Sequence, residues 1–470
     1  MVTYHDQAAA ISDDARLESL LAQTVAPDRQ RLDDLLAKAA SLVGLDEAET
    51  AQLLAVSDPA GRERLFAAAR GAKEGIYGKR MVLFAPLYLS NRCLNNCLYC
   101  GFRRDNRDLV RHTLSQEEIE QEVRAIIRLG HKRVLMVAGE HPQVSGMEYL
   151  VAALHTGYGV KEGPGELRRI NVNLAPMRVE DYAELKAAGI GTYQCFQETY
   201  HRDTYARMHP SGPKSDFDWR VSCMDRAFQG GVDDVGIGVL FGLHDYRFEV
   251  LGLVRHAAYL DREYGAGPHT ISFPRLEPAL NAPAAQHPPA PITDEQLKQV
   301  VAVLRLAVPY TGIIMSTRET PPLRRELCGL GVSQLSAGSR TYPGGYREGP
   351  ANIETEEQFL VGDTRSLDEV VRELCEQGYL PSFCTACYRS GRTGEVFMGI
   401  AKPGDIQQFC APNALLTFRE YLLDYASPAT REAGEPCIRQ HLAAIASPQL
   451  GELTRERLEA VEAGKRDLYL

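Results

Sequence analysis

The chain carries eleven cysteines, and six of them fall into two groups of three whose types and spacing could hold metal. Cys93, Cys97 and Cys100 sit in the run Asn91-Arg92-Cys93-Leu94-Asn95-Asn96-Cys97-Leu98-Tyr99-Cys100-Gly101-Phe102, and Cys384, Cys387 and Cys410 form a second, looser set. In a large intracellular chain such thiols stay reduced, so their clustering reads as metal binding rather than as disulfides. Three thiolates on one short loop bind three corners of a 4Fe-4S cubane and leave the fourth iron without a protein ligand. A structural zinc ion would want a fourth nitrogen or sulfur donor, and none follows within the first loop. For the second group the spacing alone leaves zinc open, since Cys375 or His441 could complete a tetrahedral set.

These groups need elements to position them. From Asp13 to about Gly78 the sequence is rich in Ala, Leu, Glu and Arg, with Leu32, Leu35 and Leu36 at helical spacing, which predicts a helical N-terminal layer. Eight short apolar or β-branched runs follow: Met81 to Leu89, Arg133 to Gly139, Arg169 to Leu174, Gly191 to Phe196, Asp234 to Phe241, His269 to Phe273, Gly312 to Ser316 and Val332 to Ser336. Amphipathic stretches lie between them, such as Gln116 to Leu129, Val179 to Ala188, Phe248 to Tyr264 and Asp294 to Ala307, the last opened by Thr293 as N-cap. Eight strands alternating with helices predict an α/β fold, a (β/α)8 barrel, with an open doubly wound sheet as the alternative. The first cysteine loop follows the first strand and so belongs at the C-terminal mouth, where active sites of this fold lie. Gly157 to Gly165 and Glu277 to Pro291 read as loops. Beyond Arg347 the alternation stops, which divides the chain into residues 1–80, 81–347 and 348–470, the last holding the second cysteine group.

At 470 residues, 44% hydrophobic and 24% charged, the composition is that of an ordinary globular protein. A formal net charge of -10 argues against nucleic acid or an anionic membrane as the main partner. Met1 to Leu21 lacks the basic-then-apolar pattern of a signal peptide and no long apolar stretch occurs, so a cytoplasmic location is expected.

The first loop, with an aromatic just before its last cysteine, resembles the signature of the radical S-adenosylmethionine (SAM) superfamily. That resemblance implies a SAM-binding 4Fe-4S cluster held by Cys93, Cys97 and Cys100, with SAM chelating the open iron. It also implies SAM contacts at Tyr99, at Gly139 and Glu140 in a Gly-Gly-Glu-like element whose first place is Ala138, and at Glu198, with Arg220 as a charge partner; an ordinary surface ion pair is the alternative for those last two.

Both cysteine groups, together with Phe196-Gln197-Glu198-Thr199-Tyr200-His201, Asp233 to Gly242 and Ser316-Thr317-Arg318-Glu319, resemble the radical SAM tyrosine lyases that mature FeFe hydrogenase. The resemblance implies cleavage of the tyrosine Cα–Cβ bond to p-cresol and dehydroglycine, then formation of CO and cyanide on iron for the hydrogenase H-cluster. Cys384, Cys387 and Cys410 would hold an auxiliary iron-sulfur cluster, with His269 the ligand to an extra iron; as a lone histidine at a strand start it otherwise reads as a cap. Arg318 would take the tyrosine carboxylate through its planar fork, with Ser336 assisting and Tyr88 as a wall of the substrate site. Implied partners are tyrosine, other hydrogenase maturation proteins and an electron donor. A lyase of another aromatic amino acid, such as tryptophan, and a non-catalytic iron-sulfur scaffold are the competing readings.

Overall fold

The computed structural model describes residues 3–348 and 356–470, so the first part of the expected C-terminal segment, 349–355, lies outside the described residues. Five helices form the N-terminal layer: Tyr4–Ile11, Asp14–Gln23, Arg29–Ala40, Glu47–Leu54 and Pro59–Tyr77. Each begins at a side-chain cap, Thr3, Asp13, Asp28, Asp46 and Asp58 in turn, whose oxygen accepts an otherwise orphaned backbone N–H. Leu32 and Leu35 are buried and Leu36 is packed against the core, as the helical spacing requires.

The barrel strands are β1 (Arg80–Ser90), β2 (Arg133–Ala138), β3 (Arg169–Asn173), β4 (Tyr193–Gln194), β5 (Val235–Gly238), β6 (Thr270–Ser272), β7 (Gly312–Met315) and β8 (Gln334–Ser336). Each pairs in parallel with the next, and β8 returns to β1 through Val82↔Gln334, Leu83↔Leu335 and Phe84↔Ser336, which closes the barrel. The open-sheet alternative is thereby excluded. A ninth strand, β9 (Leu380–Ser382), comes from the C-terminal segment and pairs with β1 through Arg80↔Leu380, Met81↔Pro381 and Val82↔Ser382. The longest strand thus changes partner along its length, from β9 at its start, to β8, to β2 from Ala85 onward.

Two stretches expected as loops contain regular structure. Gly157 to Gly159 are the last turn of the helix Met147–Gly159, followed by a small antiparallel hairpin, Lys161–Glu162 with Gly165–Glu166. Gly157 is there because a Cβ would meet Ile170 Cδ1 at 2.9 Å and Met136 Cε at 3.0 Å, so its bareness lets the helix sit on the sheet. Within Glu277 to Pro291, Pro283–Gln286 forms one helical turn started by its proline. Among the described residues no helix is long and apolar enough to cross a membrane.

Candidate active site and metal centres

Side-chain alternation sets what faces the barrel interior. Tyr88 on β1, Leu135 and Val137 on β2, Asn173 on β3, Gln194 on β4, Ser272 on β6 and Ser336 on β8 all line one cavity that opens at the mouth. Cys93, Cys97, Cys100, Tyr99, Gly139, Glu140, Glu198, Arg220 and Arg318 line the same cavity, so every residue expected at the mouth is gathered there.

The cysteine loop is held from several sides. Arg111 donates to the carbonyls of Asn91 at 2.6 Å, Phe102 at 2.8 Å and Arg103 at 2.6 Å, tying its two ends together. Asn95 Nδ2 donates to Glu140 Oε2 at 2.6 Å, and Leu94 N donates to the Glu140 carbonyl at 2.9 Å, which docks the loop on the end of β2. Gly139 sits under that contact: a Cβ would meet Arg92 O at 2.4 Å and Cys93 Cβ at 3.2 Å. From the far side Gln358 accepts from Tyr88 Oη at 2.7 Å, while its Nε2 points at Cys100 Sγ at 3.6 Å.

The thiols fit a cubane with one open corner. All three are free, and they face one another closely enough to interact: burial pushes the Cys97 thiol up to about 12, with Cys100 and Cys93 adding to it against Lys214. Burial and then Cys93 likewise raise Cys100. A bound cluster would lower all of these by taking the thiolate form. Among the described residues no three His, Cys, Asp or Glu side chains gather tightly enough for a single metal ion. Cys375 instead lies against Cys437, and His441 Nε2 is 3.2 Å from Gly378 O.

Glu198 follows β4 with φ 70, a left-handed conformation that costs a non-glycine residue energy unless its surroundings hold it. Its carboxylate accepts from Lys214 Nζ at 2.6 Å, with Arg220 Nη2 at 3.8 Å. Burial works to raise this carboxyl, but Lys214 and Arg220 outweigh it and keep the group below its ordinary value. Glu198 and Arg220 are buried and Lys214 is largely covered, so this is not a surface pair, and Lys214 rather than Arg220 is the nearer partner. Lys214 escaped the sequence reading because it sits in a single 3-10 turn, Pro213–Ser215, with no motif around it. Beneath Glu198, the buried Glu249 accepts from Tyr200 N at 2.9 Å and from Thr199 Oγ1.

Arg318 lies three residues past β7 rather than at its last residue, with its guanidinium 3.3 Å over the Phe359 ring. Among the described residues no carboxylate is within ion-pair distance of it, whereas the neighbouring Arg275 is taken by Glu319 at 2.7 Å and Asp294 at 2.6 Å. Arg318 Nη1 donates to the Arg275 carbonyl at 3.4 Å, and Arg318 is otherwise a cation lining the cavity with no carboxylate partner among the described residues.

At the opposite end, Cys384 follows β9, Cys387 lies in the short helix Ala386–Arg389 and Cys410 in the helix Gln407–Asp424. Arg80, the first residue of β1, feels all three thiols. His269 is at this same end: its Nδ1 is 3.5 Å from Asp234 Oδ2, and its ring lies 4.3 Å from that of Phe397 and 6.2 Å from that of Tyr388, the residue after Cys387. Three free thiols there match the donor set of a second cubane.

A closed parallel barrel with a three-thiol loop at its mouth and a half-buried cation lining the cavity is the architecture of a radical SAM enzyme. The Radical SAM superfamily pattern matches residues 87–256, and that of the Biotin and Thiamin Synthesis associated domain matches residues 272–380. More narrowly, the chain belongs to the HydG family. It superposes on the crystal structure of HydG, a maturase of the FeFe-hydrogenase, with a TM-score of 0.95 and 48% identity, covering 98% of this chain and 100% of that one. For the FeFe-hydrogenase maturase HydG from Carboxydothermus hydrogenoformans the values are 0.83 and 41%, covering 97% and 99%. The 2-iminoacetate synthase of Salmonella typhimurium is 36% identical over 334 residues, 70% of this chain and 85% of that protein.

Proposed function

We infer that this protein is a radical SAM carbon–carbon lyase that cleaves the tyrosine Cα–Cβ bond to p-cresol and dehydroglycine, and then forms CO and cyanide for the FeFe-hydrogenase H-cluster. The observation that carries this reading is the pair of three-thiol groups at opposite ends of one barrel, in a chain alike to HydG over its whole length. Residues 1–80 and 348–470 act as the helical and auxiliary-cluster layers around the catalytic barrel of residues 81–347.

Bound at Cys93, Cys97 and Cys100, a 4Fe-4S cluster with SAM supplies a 5′-deoxyadenosyl radical for hydrogen abstraction. The chain's own residues do the placing. Glu198, kept ionised by Lys214, would make a polar contact to SAM, with Gly139, Glu140 and Tyr99 lining the same cavity to hold it. Arg318 would bind the tyrosine carboxylate, its plane fixed by Phe359, with Ser336 lining the same cavity. Tyr88, held by Gln358, closes the substrate side. The buried barrel keeps water from the radical. Cys384, Cys387, Cys410 and His269 serve the second stage at the far end, and delivery requires an electron donor and further maturation proteins.

The test is anaerobic reconstitution with iron and sulfide, followed by SAM, reductant and tyrosine. p-Cresol, 5′-deoxyadenosine, CO and cyanide are all expected. Indole-type products from tryptophan in place of p-cresol would redirect the substrate assignment, and absence of 5′-deoxyadenosine would leave only a cluster scaffold.

A further inference from the structure

The floor of the barrel holds charge that the site described above does not use. Arg133 and Arg169 are register partners on the adjacent parallel strands β2 and β3. Leu135 and Asn173 line the cavity above them, so by two-residue alternation both arginines face the interior. Like charges placed side by side on one sheet face repel, and a buried guanidinium costs several kcal/mol unless an anion or acceptors answer it. Arg133 is only 5% exposed. Yet the buried Nε of each has no hydrogen-bond partner, and among the described residues neither guanidinium makes an ion pair.

Two buried arginines elsewhere in the molecule are answered, whereas Arg80, at the start of β1, likewise has a buried Nε without a hydrogen-bond partner. Arg305 donates to Pro309 O at 2.7 Å, Thr311 O at 2.7 Å and Gly331 O at 2.8 Å, and Arg168 pairs with Glu420 at 2.8 Å and Asp467 at 3.0 Å. The floor pair differs in being held without being neutralised. Tyr388 stacks its ring 3.6 Å from the Arg169 guanidinium carbon and 6.0 Å from that of Arg133, and its hydroxyl is pinned at 2.9 Å to Thr192. Stacking fixes the guanidinium plane and leaves the N–H edge free. The nearby acid, Asp234, turns to His269 and forms no ion pair with either arginine. Arg80 feels all three thiols of Cys384, Cys387 and Cys410, and Arg133 acts on Cys384 as well, though less than Arg80 does.

We propose that Arg133 and Arg169 form a binding site for the carboxylate of a small imino- or amino-acid fragment, held beside His269 at the barrel floor. The proposal rests on the lyase reading, in which cleavage at the mouth leaves a two-carbon imino acid. Two parallel donor edges match the two oxygens of a carboxylate. A held carboxylate keeps the fragment at the far end; a free imine takes up water and splits into glyoxylate and ammonia.

The experiment uses the full chain reconstituted with both clusters, comparing wild type with Arg133→Lys/Arg169→Lys, which keeps both charges but loses the forks, and with Arg133→Met/Arg169→Met. Expected are unchanged p-cresol formation and unchanged iron content, with CO and cyanide each down about tenfold or more and glyoxylate rising in their place. Calorimetry with glyoxylate as the probe should show binding to wild type and none to the Met variant. Normal CO from the Met variant overturns the proposal. So does loss of iron from the Lys variant, since the arginines would then serve the cluster. If wild type makes no p-cresol, the lyase reading fails by itself, and the glyoxylate titration still decides whether the floor binds a carboxylate.

Discussion

Glu249 offers the sharpest test of how the SAM side of the cavity is built. It reaches from the helix Tyr246–Tyr264 to hold Thr199 Oγ1 and Tyr200 N, the two residues that follow the left-handed Glu198. A non-glycine residue in that region stores about 1–3 kcal/mol, and it stays there only while its neighbours leave no alternative. In Glu249→Ala the turn relaxes, Glu198 leaves Lys214, and SAM binding must restore the strained form. The same 1–3 kcal/mol then appears as a weakening of SAM affinity of roughly 5- to 150-fold. Calorimetry of SAM binding to the reconstituted protein reads this directly. Burial raises the Glu249 carboxyl from 4.5 to about 8 against its hydrogen bonds with Thr199 and Tyr200, so at neutral pH it is protonated, and in Glu249→Gln the amide oxygen can still accept from Tyr200 N while its NH2 donates to Thr199 Oγ1. Gln should therefore restore affinity that Ala loses. Because the folded form keeps a proton that the unfolded chain releases, wild-type stability falls as pH rises from about 4.5 to about 8, and Glu249→Gln should lack that fall. Unchanged SAM affinity in Glu249→Ala, with Lys214→Met strongly impaired, would refute the idea that this turn needs Glu249.

Other tests follow from the same geometry. Gly139→Ala places a methyl 2.4 Å from a backbone oxygen of the cysteine loop, so the SAM cluster should not assemble; iron and sulfide analysis should show loss of one cubane with the second retained. Cys384→Ala/Cys387→Ala should still release p-cresol but make no CO, and unaffected CO would mean the far-end group is structural. His269→Ala should leave tyrosine cleavage intact, lower iron by about one per chain and impair cyanide and CO formation, since neither Ala nor water replaces an imidazole ligand well.

Much of this arrangement is legible in the sequence because it rests on short-range pattern. The three-cysteine loop is contiguous, the strand runs are apolar, and caps such as Thr293 mark helix starts. What the sequence hides is set by distant contacts. Lys214 and Glu249 act on Glu198 from turns and helices whose own patterns serve packing. Gln358 reaches Tyr88 and the Cys100 sulfur from a loop more than 250 residues downstream. β9 is only three residues long, too short for a periodic signal, and its place depends on the free edge at the start of β1.

That first strand also governs the order in which the protein can become complete. Eleven residues long, roughly 35 Å at ~3.3 Å per residue, it runs from Arg80, at the end that holds Cys384, Cys387 and Cys410, to the cysteine loop after Ser90. It leaves the ribosome early, but its partners β8 and β9 and the cavity walls Arg318, Ser336 and Gln358 come from the last third of the chain. A contact map this non-local makes closure slow and leaves the thiols of Cys93, Cys97 and Cys100 exposed on an unfinished sheet during synthesis. Nascent chains that meet oxygen before β9 docks are the ones most open to thiol oxidation and aggregation.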